Sequence, residues 1–133
     1  MTKKKLQIPA LKIMIGLLIA VILFHSLIIT QIIPYTIVWA GKLKEVESMW
    51  KFETISIAIN SFLLTTLLLK GNYLKSKISD KILNAILWLF MFVFVINTIG
   101  NLMSKTLFEK IVFTPLTLIA AVLIWIIVQT KRK

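Results

Sequence analysis

The chain has 133 residues, a hydrophobic fraction of 59% and a mean hydropathy of +0.93. Soluble domains contain only about 45–50% apolar residues, so this composition excludes an ordinary soluble fold and favours one membrane domain over 1–133. The absence of cysteine excludes disulfides, thiolate metal sites and thiol redox chemistry. The net charge of +11 could indicate nucleic acid binding, but the positions of the charges indicate membrane topology instead.

Four apolar stretches are predicted to cross the membrane, at residues 13–33, 52–69, 82–103 and 112–128. Each approaches the ~20 residues needed to span the hydrocarbon core, and none contains Lys, Arg or Asp in its interior. Because backbone hydrogen bonds must be satisfied within the bilayer, the stretches predict helices. The expected fold class is therefore all-α, an integral membrane four-helix bundle.

The segment 34–51 between the first two stretches is the only long connection. Leu43, Val46 and Trp50 recur there at helical spacing among charged residues, which predicts a short helix on the membrane surface. An ordinary solvated loop is the alternative.

The basic residues lie mainly on alternate sides of the four stretches. Eleven of the sixteen fall at the N-terminus, in segment 70–81 and at the C-terminus, and the other five are Lys42, Lys44, Lys51, Lys105 and Lys110. An excess of Lys and Arg in short loops marks the cytoplasmic side, so both termini are predicted to be cytoplasmic. The expected location is the bacterial cytoplasmic (inner) membrane, where the protein is multi-pass and surrounded by lipid.

Polar residues inside the spans share helical faces, because their spacings of three, four and seven place them on one side of each helix. His25 lies eight residues before Ile33, Asn60 eight after Phe52 and Asn97 eight before Lys105. At ~1.5 Å per residue, each therefore lies ~12 Å inward, at a similar depth. This pattern predicts a polar cavity that opens outward and is closed below by apolar side chains. The expected ligand-binding residues are His25, Glu53, Ser56, Asn60, Asn97, Asn101, Thr114 and Thr117.

The same polar residues have a structural interpretation, because Asn, Ser and Thr join membrane helices through hydrogen bonds worth ~0.6–2 kcal/mol each.

Glu53 is the acid expected to enter the bundle. A buried Glu53 would take up a proton or pair with His25 or a nearby Lys, and these two residues are the candidates for acid–base catalysis. One His and no Cys are too few for a typical zinc site, so no metal and no cofactor are expected.

The segments IPYTIVWAGKL (33–43), NTIGNL (97–102), LFEK (107–110) and TPLT (114–117) resemble a group of small four-span bacterial membrane proteins. That group has no assigned function, so the resemblance implies the four-span fold and no activity. The group is expected to have Gly at the position of Ala40.

The favoured function is non-enzymatic. We expect the protein to bind a small amphiphile in the cavity or to act as an accessory subunit of a membrane complex. A lipid- or isoprenoid-modifying enzyme that uses Glu53 is the alternative, and a small dimeric transporter is the third possibility. The expected partners are lipid, a small amphiphilic ligand, and a second copy or another membrane protein; nucleic acid is not expected.

Overall fold

The computed structural model describes residues 3–37 and 45–129, with the backbone alone at residues 3–6. Its four long helices are α1 (Lys3–Ile29), α2 (Val46–Lys70), α3 (Asp80–Leu102) and α4 (Thr114–Val128). A 3-10 turn at Tyr35–Ile37 follows α1, and a π-helical turn at Glu109–Phe113 runs directly into α4. The described residues contain no strand. The expected all-α class is confirmed.

Among the described residues, four segments are long and apolar enough to cross a membrane: Gln7–Ile29, Val46–Lys70, Asp80–Leu102 and Glu109–Val128. The first ends four residues before the expected boundary at residue 33. There the Gln31 N–H donates to the Ile28 carbonyl and the Ile32 N–H donates to the Leu27 carbonyl, with Gln31 at φ 62°. This Schellman motif satisfies the last carbonyls of α1 and ends the helix.

The second span begins at Val46 and not at residue 52. In the described residues, the surface helix predicted within 34–51 is therefore not separate from α2 but forms its first turns. Val46 and Trp50 belong to the first turns of α2, whereas Leu43 lies outside the described residues. Met49 is fully buried and anchors this extension against Ile28. The charged pair Glu47 and Lys51 lies on the exposed face of the same turns.

The fourth span also begins earlier than expected, at Glu109 instead of residue 112. Pro115 lacks a backbone N–H and cannot complete a regular helical ladder, and the chain forms the π-helical turn Glu109–Phe113 immediately before it. The Thr114 Oγ1 donates to the Glu109 carbonyl at 3.4 Å. Glu109 therefore belongs to the spanning segment.

Side-chain contacts show that neighbouring helices are antiparallel. His25 near the end of α1 contacts Glu53 near the start of α2, and Lys70 at the end of α2 pairs with Asp80 at the start of α3 at 2.7 Å. Further bonds connect α3 to α4 and α4 to α1. They are Thr98 to Thr117 at 2.9 Å and the Gln7 Nε2 to the Ile127 carbonyl at 3.3 Å. Among the four neighbouring pairs, α2 and α3 have the smallest contact.

An apolar core occupies the end of the structure where α1 and α3 begin and α2 and α4 end. Met14, Leu18, Leu63, Leu67 and Leu87 are buried there together with Ile124 and Ile127 of α4. A second, smaller cluster around Ile28 and Met49 lies at the opposite end. Along α2, Ser56 and Asn60 come between these two clusters, and along α3, Asn97 and Thr98 follow the residues that belong to the large core.

Candidate functional site

A cavity of about 340 Å³ lies among the four helices, which is within the range of small-molecule sites. The lining begins at the large apolar core, to which Leu18 and Phe90 belong, and extends along each helix away from it. Of the eight residues expected to form the site, six line this cavity: His25, Ser56, Asn60, Asn97, Asn101 and Thr117. Glu53 and Thr114 are not lining residues.

The cavity has an apolar end and a polar end. On α1 the apolar residues Leu17 and Val21 precede His25, and on α3 the apolar residues Phe90 and Phe94 precede Asn97. Because α1 and α3 both run antiparallel to α2, their polar residues lie at the same end of the cavity. The lining therefore suits a ligand that has a polar head at one end and an apolar tail at the other.

His25 and Glu53 form a hydrogen-bonded pair beside the cavity through His25 Nδ1 and Glu53 Oε2. Glu53 is completely buried, and the His25 side chain is 15% exposed. Of the alternatives expected for a buried Glu53, which were a proton, His25 or a nearby Lys, the structure shows the contact with His25. Since Nδ1 is engaged by the carboxylate, Nε2 is the ring nitrogen that remains for a group in the cavity. Glu53 is not a lining residue, and its bond to His25 links it to the cavity.

Glu109 is a second buried acid, and it lines the cavity directly. The expectation that Glu53 alone enters the bundle is therefore wrong. Spans at 82–103 and 112–128 leave Glu109 in the connection between them, so the sequence does not predict its burial. The available signal was its spacing: Glu109, Phe113 and Thr117 recur every four residues, and all three line the cavity.

The polar residues differ in whether they join helices. The Thr117 hydroxyl is hydrogen-bonded to Thr98 at 2.9 Å and receives a bond from Asn101 at 3.4 Å, so these residues connect α3 and α4. Asn60, in contrast, donates to the Ser56 carbonyl of its own helix at 2.7 Å. Asn97 makes no hydrogen bond to any residue that the structure describes. Asn60 and Asn97 therefore do not connect helices within the described chain.

The cavity is accessible from the side, between α2 and α3. Its exposed lining residues are Ile59 on α2 and Val93 and Asn97 on α3. Ile59 and Val93 lie near the middle of their helices, and α2 and α3 are the neighbouring pair with the smallest contact. In a membrane, this side of the cavity faces the hydrocarbon region of the bilayer.

Within residues 3–37 and 45–129, no group of three His, Cys, Asp or Glu side chains is arranged to hold a metal ion. Comparison of the chain with protein families, curated proteins and solved structures gives no match. The function of the site is therefore inferred from its own geometry.

Proposed function

We propose that this protein is a non-enzymatic, multi-pass protein of the bacterial cytoplasmic membrane that binds a small amphiphile in the cavity between its four helices. The observation that carries this proposal is the separation of polar and apolar lining along one cavity of about 340 Å³. An apolar tail would contact Leu17, Val21, Phe90 and Phe94, while the head would reach His25 and the residues beside it. The lateral opening provides a route from the bilayer.

The amide groups support a ligand cavity over a purely structural polar layer. An amide that serves only to join helices should be bonded across them. Asn97 makes no bond to the described residues, and Asn60 is bonded within α2. Amides in these positions are costly in lipid unless another molecule or water satisfies them.

The orientation is part of the proposal. Eleven of the sixteen basic residues lie near the two termini and in segment 70–81. Both termini would then face the cytoplasm. This orientation places the polar end of the cavity in the outer half of the membrane and the apolar core in the inner half.

The His25–Glu53 pair favours a second candidate function, a lipid- or isoprenoid-modifying enzyme. A buried carboxylate that holds an imidazole by Nδ1 leaves Nε2 able to accept a proton from a bound molecule. The two functions differ in one measurable respect. An enzyme would convert the bound amphiphile to a product, whereas a binding protein would release it unchanged.

The test of the binding proposal is ligand-dependent thermal stabilisation of the wild type and of Asn97→Leu, with a panel of amphiphiles that have twelve-carbon tails. Asn97→Leu should fold normally, since it breaks no hydrogen bond to the described residues. It should bind the best amphiphile roughly tenfold more weakly, because one polar contact with the head group is lost.

The matched control is Ile96→Leu, which changes the neighbouring, exposed residue of α3 outside the cavity lining. This variant should bind as the wild type does. A wild-type protein that no member of the panel stabilises would contradict the binding proposal, as would equal effects of the two substitutions.

A further inference from the structure

We infer that the cavity selects an amphiphile by the length of its tail and takes one unbranched chain of about ten carbons. Such a tail length presupposes the proposed binding function, and it does not depend on the chemistry of the head group. The length is set by a closed apolar end and by the distance from that end to the polar residues.

The apolar end of the cavity is closed by one side chain from each helix. On every helix, the residue three positions beyond the last lining residue, towards the large apolar core, is completely buried and does not line the cavity. We call these four residues the floor layer: Met14, Leu63, Leu87 and Ala120. Because packed protein interiors have few voids larger than a water molecule, a tail cannot pass beyond this layer.

The distance from the floor layer to the polar end limits the length of the tail. Leu17 and His25 are eight residues apart on α1, and Phe90 and Asn97 are seven residues apart on α3. At ~1.5 Å per residue, these intervals are ~12 Å and ~10 Å long. An extended chain advances ~1.2 Å per bond, since a fully extended residue of three bonds spans at most ~3.6 Å. About eight to ten bonds therefore fit between the floor layer and the first polar residues.

The volume of the cavity gives a similar limit. A water molecule occupies ~30 Å³ of the liquid, and a methylene group is of similar size, so a cavity of about 340 Å³ holds roughly eleven non-hydrogen atoms. One tail of about ten carbons with a small head accounts for this volume, whereas two such tails would need about twice as much. A shorter tail would leave part of the cavity empty and lose van der Waals contacts.

A longer tail would not fit without losing contacts. Its end would have to bend out between Ile59 and Val93, at the lateral opening, or its head would have to stay away from His25. Either arrangement sacrifices contacts that a tail of about ten carbons makes. The cavity therefore penalises tails on both sides of one length.

The experiment uses the full chain in lipid nanodiscs and three homologous series of probes with six to eighteen carbons: 1-alkanols, alkanoates and alkyltrimethylammonium salts. Stabilisation is measured against the mole fraction of each probe in the bilayer and converted to a dissociation constant. In the series that binds best, affinity should increase about two- to threefold per added carbon until the cavity is full, at about eight to twelve carbons. It should then decrease at least about fivefold by sixteen carbons, because overfilling a packed site is unfavourable.

Two substitutions should move this optimum in opposite directions. Val21→Phe adds four carbons to the lining and should shorten the preferred tail by about three or four carbons, whereas Leu87→Ala removes three carbons from the floor layer and should lengthen it by about two or three. The matched control is Leu23→Phe, which changes an exposed residue of α1 outside the lining and should leave the optimum unchanged. If either lining or floor variant does not fold, the wild-type optimum still decides the matter.

Three results would overturn the selection by length and leave the binding function in place. They are a wild-type optimum outside about eight to twelve carbons, an affinity that does not change with tail length, and an optimum that Val21→Phe leaves where it is. Binding of no member of the three series would overturn both.

Discussion

His25 and Glu53 are the residues on which the polar end of the cavity depends. Glu53 is completely buried, and a carboxylate in that position is costly unless it is paired and hydrogen-bonded. The bond to His25 Nδ1 supplies such a partner and fixes the orientation of the ring. The pair therefore both stabilises the contact between α1 and α2 and presents Nε2 to the cavity.

This role predicts strong energetic coupling between the two side chains. His25→Leu alone should lower the free energy of unfolding by about 3 kcal/mol, because it removes a partner of a buried carboxylate. The double variant His25→Leu/Glu53→Leu should recover a large part of that loss, giving a coupling energy above about 1 kcal/mol. A double-mutant cycle measured by unfolding in detergent micelles tests this.

Glu47 and Lys51 provide the control cycle. They lie 3.5 Å apart on α2 with side chains that are 76% and 72% exposed. An exposed pair at this spacing should couple by no more than about 0.5 kcal/mol. Equal coupling in the two cycles would mean that the His25–Glu53 bond does not stabilise the fold.

At the scale of the helices, the sequence predicts much of the architecture. The four apolar stretches and the number of helices follow from hydropathy, because a bilayer admits only helices or closed barrels. The helix ends are less predictable. The turns of α2 that begin at Val46 contain Glu47 and Lys51, which resemble a solvated loop in sequence, but Met49 is buried against Ile28 and extends the helix. That contact is tertiary and does not follow from local sequence.

The same limitation explains why Glu109 was not predicted as a site residue. It lies between Lys105 and Lys110, and charge clusters of this kind are typical of connections between spans. Its burial depends on the π-helical turn before Pro115, which continues α4 and directs Glu109 into the cavity. By contrast, the stripes containing Ser56 with Asn60 and Asn97 with Asn101 were predictable, because regular helical spacing alone places their members on one face.

For the whole molecule, the distribution of charge predicts the orientation in the membrane. A reporter fused to the C-terminus should be cytoplasmic, and a reporter inserted between residues 42 and 45 should be external. Alkaline phosphatase, active only outside the cytoplasm, and a fluorescent protein, active inside it, give opposite signals at the two positions. The same compartment for both would contradict the four-span topology and the assignment of the polar end to the outer half of the membrane.

The proposed binding mode places an amphiphile in the cavity with its tail towards the apolar core. Photoaffinity labelling with tail-diazirine derivatives of dodecanol, dodecylammonium and dodecanoate, followed by peptide mapping, tests it most directly. We predict that at least one probe labels the lining residues Leu17 and Val21 of α1 and Phe90 and Phe94 of α3, and that excess unlabelled amphiphile suppresses this labelling. Labelling spread over lipid-facing residues such as Leu23 and Leu89, without suppression by competitor, would contradict the account.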